Sequence, residues 1–345
     1  MRIGVVTMRH ASGEAGGAER FYDALVGSFR QLGHHADEIA VDGDESSMER
    51  IKRNYLNCYD LDLSSYDMVV STKAPSWLVR HPRHVCYLVH TIRVFYDMFE
   101  ETFPRPGKAL IADRDLIHQL DSGALAPPRC RALFSIGNEV SMRLRKYNGL
   151  DAEVLHPPLW SNDFHLGESG DYFLLPGRLH PWKRVDLVVQ AMRQVKSDVK
   201  LKIVGVGEAE ESLRALAAGD SRIEFLGRVD DAQLRDLYAN ALAVPFTPKR
   251  EDYGYITLEA FASGKPVVTC TDSGEASVLV RDGVNGFVCD PRPAALAQAM
   301  DRLAGDRDLA VRLGRSGREW VEGLSWDKIA ARLIDAAFEQ AEERR

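Results

Sequence analysis

The stretch EDYGYITLEAFASGKPVVTC, residues 251–270, decides the fold of this chain. It opens on two acids and a glycine and runs into a helix-forming segment with Glu259 eight residues after Glu251. It breaks at Ser263-Gly264 and continues as the apolar run KPVVTCT. A glycine just past the last helical residue is a usual helix stop. A short apolar run bounded by turn residues reads as a strand buried on both faces. The run ALAVPFT, residues 241–247, precedes the stretch and has the same character. Strand, polar loop, helix, strand is one β–α–β unit, and such units build parallel sheets.

The same alternation continues upstream. DYFLLPGR (171–178), KLKIVGVG (200–207) and RIEFLGRV (222–229) read as strands. RVDLVVQAMRQV (184–195), EESLRALAA (210–218) and DAQLRDLYANA (231–241) read as the helices between them. Nearer the start, RIGVVTM (2–8), DMVVST (67–72), HVCYLVH (84–90) and RALFSIG (131–137) are strands, and AERFYDALVGSFRQLG (18–33) is an amphipathic helix that Gly33 can end. Pro157-Pro158 punctuates the middle of the chain, and the polar segment from Asn162 to Gly170 reads as a linker. The expected fold class is therefore α/β, with two doubly wound Rossmann-like domains facing across a cleft. The expected division is 1–165, 166–325, and a terminal helix 326–345 that packs back toward the first domain.

Composition narrows the function. Of 345 residues, 44 are basic and 51 acidic, a net charge of −7 that argues against a general nucleic-acid binder. No apolar run reaches the ~20 residues that span a bilayer. The opening strand is too short and too soon broken for a signal peptide. Five cysteines, scattered and without a CxxC pair, fit a reducing cytoplasmic setting better than a disulfide scaffold or a zinc site. HExxH, GxSxG and GxxxxGK[ST] patterns are absent from the sequence, so a zinc peptidase, a serine hydrolase of that type and a P-loop NTPase are not expected.

In open parallel sheets, ligands sit beyond the carboxyl ends of the strands. Arg178, Gly205 and Arg228 fall at such ends, and Lys183 lies five residues after Arg178. Glu251, Tyr253 and Gly254 follow another strand, just before a helix that starts near Tyr255, Ile256 and Thr257. Singly, each of these charges would read as an ordinary surface ion pair worth ~0–1 kcal/mol. Together, two cations and a helix N-terminus describe a phosphate site. Glu259 can then accept hydrogen bonds from a ribose, and Glu251 from a second polar ring. The ligand these features suit is a nucleotide diphosphate bearing a sugar. In the first half, Gly13, Gly16 and Gly17 form a glycine loop after the first strand, where backbone can approach a phosphate. His90 closes the strand HVCYLVH and can meet a sugar hydroxyl or developing charge. Neither glycine string completes GxGxxG, which ranks a dehydrogenase low.

At this point the chain resembles the family 4 glycosyltransferases, which have the GT-B fold. The strings that carry the resemblance are PGRLHPWKRVD (176–186), IVGVGE (203–208), FLGRV (225–229), EDYGYITLEAFASGKPVV (251–268) and DGVNGFV (282–288), with GGAER (16–20) and KYNGLDAEVLHPP (146–158) in support. The resemblance implies retaining transfer of a hexosyl group from a UDP- or GDP-linked nucleotide-sugar to a saccharide, lipid-linked or natural-product acceptor. The resemblance also implies that no metal or other cofactor is required. It implies His90, Arg178, Lys183 and Glu251 as catalytic residues. Gly16, Gly17, Arg178, Lys183, Gly205, Arg228, Glu251, Tyr253, Gly254, Tyr255, Ile256, Thr257 and Glu259 would bind the donor. A sugar-nucleotide 2-epimerase of the same architecture and a noncatalytic nucleotide-sugar-binding protein are the alternatives. Basic residues beside apolar ones in Met48–Tyr59, Arg80–His84 and Val140–Gly149 are compatible with peripheral membrane contact on the cytoplasmic face, and equally with solvated helix surfaces.

Overall fold

A computed structural model describes residues 1–9 and 17–339. Gly13 and Gly16, singled out above, lie outside the described residues. In chain order the elements are β1 (Arg2–Arg9), α1 (Gly17–Gln31), β2 (His35–Asp42), α2 (Met48–Tyr59), β3 (Met68–Lys73), β4 (His84–His90), α3 (Phe99–Thr102), α4 (Lys108–Leu125), β5 (Ala132–Ser135), α5 (Asn138–Asn148) and β6 (Glu153–Val154). There follow β7 (Tyr172–Pro176), α6 (Val185–Met192), β8 (Lys200–Val204), α7 (Glu210–Ala217), β9 (Ile223–Gly227), α8 (Asp231–Ala239), β10 (Val244–Pro245), α9 (Tyr255–Ala262) and β11 (Val267–Cys270). The last are α10 (Glu275–Leu279), β12 (Gly286–Cys289), α11 (Pro293–Gly305), α12 (Arg307–Val321) and α13 (Trp326–Phe338). The chain divides into two compact units, Met1–Trp160 with Ser325–Arg345, and Ser161–Leu324.

The first unit is built on a six-stranded parallel sheet of order β2-β1-β3-β4-β5-β6. The chain steps from β1 outward to β2 and then back across to β3, so the strand order reverses between β1 and β3. Strands β3 and β4 are buried along nearly their whole length, as a parallel sheet covered on both faces requires. The edge strand β2, HADEIAVD, carries four ionisable residues and is only partly buried, so it lacks the continuous apolar run by which the others are recognised. Helix α13 completes this unit. The Trp326 ring packs edge-on against Phe21 at 5.4 Å, and its indole N–H donates to the Leu159 carbonyl at 3.1 Å.

The second unit holds two three-stranded parallel sheets, β7-β8-β9 and β10-β11-β12. They are joined where Leu242 N donates to Tyr172 O at 2.8 Å and Leu174 N to Ala243 O at 3.1 Å. Side by side the order is β9-β8-β7-β10-β11-β12, the doubly wound order, with its reversal between β7 and β10. Buried apolar residues of α6, α7 and α11 form a core with the strands. Helix α12 comes close to the end of α9. A Cβ on Gly314 would lie 1.9 Å from the Gly264 carbonyl, and one on Gly317 would lie 2.4 Å from the Phe261 ring. The segment expected to be a linker, Asn162–Gly170, is instead laid against the end of α8. Gly170 N donates to Asn240 O at 2.9 Å, and a Cβ on Gly167 would clash with the Ala239 carbonyl at 2.5 Å. Gly167 and Gly170 here permit close backbone contact.

One buried carboxylate ties the first unit's strand-end segment to its helices. Asp121 on α4 is wholly buried. It accepts hydrogen bonds from Tyr55 on α2 at 2.7 Å, from the Trp77 indole at 2.8 Å and from Tyr96 at 2.6 Å. Burial pushes its carboxyl up to about 6, against the lowering effect of the three donors. The native state thus holds a proton where the unfolded chain has already lost it. This group's contribution to stability is greatest at acid pH and falls as pH rises from about 4 to about 6. In Asp121→Asn the carbonyl can still accept from Tyr55 and Trp77, and the slope is removed. Relative to the wild type, the variant should gain on the order of 2 kcal/mol between pH 4 and 7. Urea unfolding at a series of pH values measures this, and a pH-independent difference refutes it.

Candidate functional site

The strand ends at the reversal between β7 and β10 form the site. Gly177 and Gly205 follow β7 and β8 with φ of 130° and 125°, a region that favours glycine. A Cβ on Gly205 would lie 1.9 Å from the Gly177 carbonyl, so the two strand ends run backbone against backbone. Gly177 N donates to Val204 O at 2.9 Å and Gly205 N to Gly227 O at 2.8 Å, which fixes the ends of β7, β8 and β9 against one another.

Arg178 leaves this floor into solvent. Its guanidinium stands 3.7 Å from Glu208, which also lies 3.2 Å from the His180 ring. The chain then turns through Pro181–Lys183, with the His180 ring accepting from Trp182 N at 3.1 Å. Arg184 follows in the left-handed region, φ 50°. Its guanidinium donates to Asp272 at 2.6 and 2.7 Å, to Thr247 O at 2.7 Å and to Pro248 O at 2.9 Å. Lys249 N donates to Trp182 O at 2.7 Å. The loop after β7, the loop after β10 and the turn after β11 are thereby bound together.

That binding sets Lys183 against Glu251. The ammonium donates to both carboxylate oxygens, at 2.8 and 2.7 Å, and stands 5.8 Å from the centre of the Phe246 ring. The main chain of Glu251 is fixed on both sides. Its N–H donates to Ser273 O at 3.2 Å, and its carbonyl accepts from Glu275 N at 2.9 Å. Gly254 caps α9 with φ 81°, and a Cβ there would lie 2.7 Å from Phe246 and 3.2 Å from the Glu251 side chain. The positive end of the α9 dipole therefore opens beside the Lys183–Glu251 pair.

Glu259 lies one turn into α9, buried, and accepts from the Tyr238 hydroxyl. Burial, then the Glu259 charge, pushes the Tyr238 and Tyr255 hydroxyls well up, so both stay protonated. Tyr253 stacks edge-on with Tyr255 at 5.1 Å. Ile256 packs over the floor, 3.2 Å from where a Gly177 Cβ would stand. Thr257 is buried and its N–H donates to the Gly254 carbonyl at 2.9 Å. Arg228 is exposed just after β9.

Lys183 is thus bonded to Glu251, Gly254 is packed against Glu251, Arg178 stands with Glu208, and Glu259 sits deeper on the helix that Gly254 caps. His90 and Gly17 belong to the first unit. His90 ends β4 in register with Lys73, whose ammonium is 2.8 Å from Glu45. Beside it, buried Thr91 accepts from Arg143 at 3.4 Å, and Arg143 and Arg93 both pair with Asp97. Gly17 opens α1, and Gly16 lies outside the described residues. Sequence reading passed over Arg184, Glu208, Asp272 and Gly274. The available signal was position, because each stands at a strand end in a string already quoted or next to one. Among the described residues, no three His, Cys, Asp or Glu side chains gather as a metal site, and no helix is long and apolar enough to cross a membrane.

Residues 159–320 match the family model described as glycosyl transferases group 1. The chain is 35% identical over 187 residues to the GDP-mannose-dependent alpha-(1-6)-phosphatidylinositol monomannoside mannosyltransferase of Mycobacterium tuberculosis, a match covering 50% of this chain and 48% of that protein. It is 31% identical over 268 residues to the D-inositol 3-phosphate glycosyltransferase of Streptomyces bingchenggensis, covering 68% and 56%. The chain spans about half the length of the curated relatives it matches. Among solved structures it is similar to sucrose-phosphate synthase from Thermosynechococcus elongatus, with a TM-score of 0.74 at 17% identity over 97% of both chains. It is also similar to Anabaena HepE in complex with UDP and glucose, with a TM-score of 0.69 at 15% identity over 97% and 98%. Residues 159–320 thus belong to the glycosyl transferases group 1 family, and the chain shares its fold with the solved structures above.

Proposed function

We propose that the protein is a retaining glycosyltransferase that takes a hexosyl group from a UDP- or GDP-linked sugar and delivers it to a hydroxyl of a saccharide, lipid-linked or small-molecule acceptor. The observation that carries this reading is the contact of Lys183, Glu251 and the Gly254-capped helix at the β7/β10 reversal. Two similar proteins support it, one named as GDP-mannose-dependent and one held with UDP and glucose.

In this reading the second unit holds the donor and the first the acceptor. Lys183, Arg178 and the start of α9 take the diphosphate. Glu259 takes the ribose, Glu251 the sugar hydroxyls, Arg228 the neighbourhood of the base, and Gly205 leaves room for backbone approach. The acceptor oxygen attacks the anomeric carbon on the face from which the phosphate departs. The bond from that carbon to the phosphate oxygen breaks, and the departing phosphate takes the acceptor proton. Charge grows on the phosphate as the bond breaks, so fixed cations there act chiefly in the transition state. They can do so without a metal ion.

Thermal melting with UDP, GDP, ADP and their sugar conjugates, with and without EDTA, tests the donor site. One nucleotide at ~100 times its dissociation constant should stabilise the protein by about 2.7 kcal/mol, unchanged by EDTA. A panel without any shift refutes the reading. With that donor, Lys183→Met should lower the turnover number by about a hundredfold or more while the far-ultraviolet spectrum is kept. Unchanged turnover would remove Lys183 from the chemistry.

A further inference from the structure

We infer that Glu251 is a built-in competitor of the diphosphate for Lys183, so that this one carboxylate favours the sugar-bearing donor over the spent nucleoside diphosphate. The inference rests on the donor-site reading above and adds to it a means of product release.

The Lys183–Glu251 pair differs from the other cation of the site. Glu251 receives two hydrogen bonds from one ammonium, and the side chains are only 29% and 19% exposed. Arg178 and Glu208 are 72% and 51% exposed and 3.7 Å apart, so solvent screens their attraction. Nor can Glu251 withdraw by moving its loop. Its N–H and carbonyl are both bonded, to Ser273 O and Glu275 N, and Gly254 and Gly274 are packed against it without room for a side chain. Only the side chain can turn. A diphosphate held by Lys183 therefore either displaces the carboxylate from the ammonium or lies against it, and both raise the energy of the bound anion.

The donor offers compensation that the product lacks. While a sugar is attached, its hydroxyls can donate to the Glu251 carboxylate and hold it away from Lys183. After transfer, those donors have left with the acceptor. The carboxylate is then unpaired beside a diphosphate, and its return to Lys183 drives the anion out.

Calorimetric titration of UDP and GDP into wild-type protein, Glu251→Gln and Glu208→Gln tests this. Glutamine keeps the shape and both main-chain bonds of Glu251 while removing its charge. Glu251→Gln should bind the preferred nucleoside diphosphate about tenfold more tightly than wild type. Its gain for the matching sugar conjugate should be smaller, and Glu208→Gln should gain less than about twofold. The proposal is overturned if Glu251→Gln binds the diphosphate no more tightly. It is equally overturned if Glu208→Gln gains as much, since net charge would then suffice. Wild-type protein that binds neither nucleotide overturns the donor-site reading itself, and this inference with it.

Discussion

The guanidinium of Arg184 is bonded to the Asp272 carboxylate and to the carbonyls of Thr247 and Pro248. These acceptors come from the segments after β10 and β11, whereas Arg184 belongs to the segment after β7. Loops at strand ends have few apolar contacts to hold them, so side-chain hydrogen bonds must do it. The same residue carries a positive φ, which redirects the chain from the turn at Pro181–Lys183 into α6. A planar guanidinium with five donors suits this task, and a lysine would satisfy fewer acceptors. Lys183 is the residue just before it in the chain, and its approach to Glu251 follows from where Arg184 is anchored.

The central strands were legible because a parallel sheet covered on both faces leaves a run of apolar residues behind. HVCYLVH was expected at 84–90, and β4 is found there. The edges were not. β2 interrupts its apolar residues with four ionisable ones, and β6 is only a two-residue strand, so neither carries a long apolar run. ALAVPFT shortens to Val244–Pro245, with Leu242 and Ala243 serving instead to join the two halves of the sheet. Helices α4, α11 and α12 passed unread. Their reality depends on partners distant in sequence, as when Gly314 meets Gly264.

At the site, residue type and strand-end position brought out Lys183, Glu251, Gly254 and Glu259, and the structure sets the first three in contact. What composition cannot carry is which charge satisfies which. Glu208 reads as one acid among several in GEAEE, yet it faces both Arg178 and His180. Glu259 looks free to meet a ligand in sequence, but it also accepts from Tyr238, which limits the directions in which its carboxylate can turn. Such pairings follow from loop geometry and positive φ values, and neither leaves a periodic trace.

Three cation–carboxylate pairs line these loops, and their surroundings divide the work among them. Arg184–Asp272 has the most buried cation of the three and the most hydrogen bonds, two of them to main-chain carbonyls. Exchanging it for a ligand would leave those carbonyls unsatisfied, at a cost of ~1–3 kcal/mol for each group left buried. Arg178–Glu208 lies in solvent, where the pair is weak and the cation can meet an incoming anion at little cost. Lys183–Glu251 lies between these limits. It is shielded enough for its charges to be felt, yet joined only through side-chain atoms, so it can open without disturbing the frame. A binding site for a dianionic diphosphate needs all three properties together: a cation that attracts, a frame that does not yield, and a pair that can exchange partners. In the donor site proposed above, the order of exposure along Arg178, Lys183 and Arg184 would supply them within seven residues of sequence.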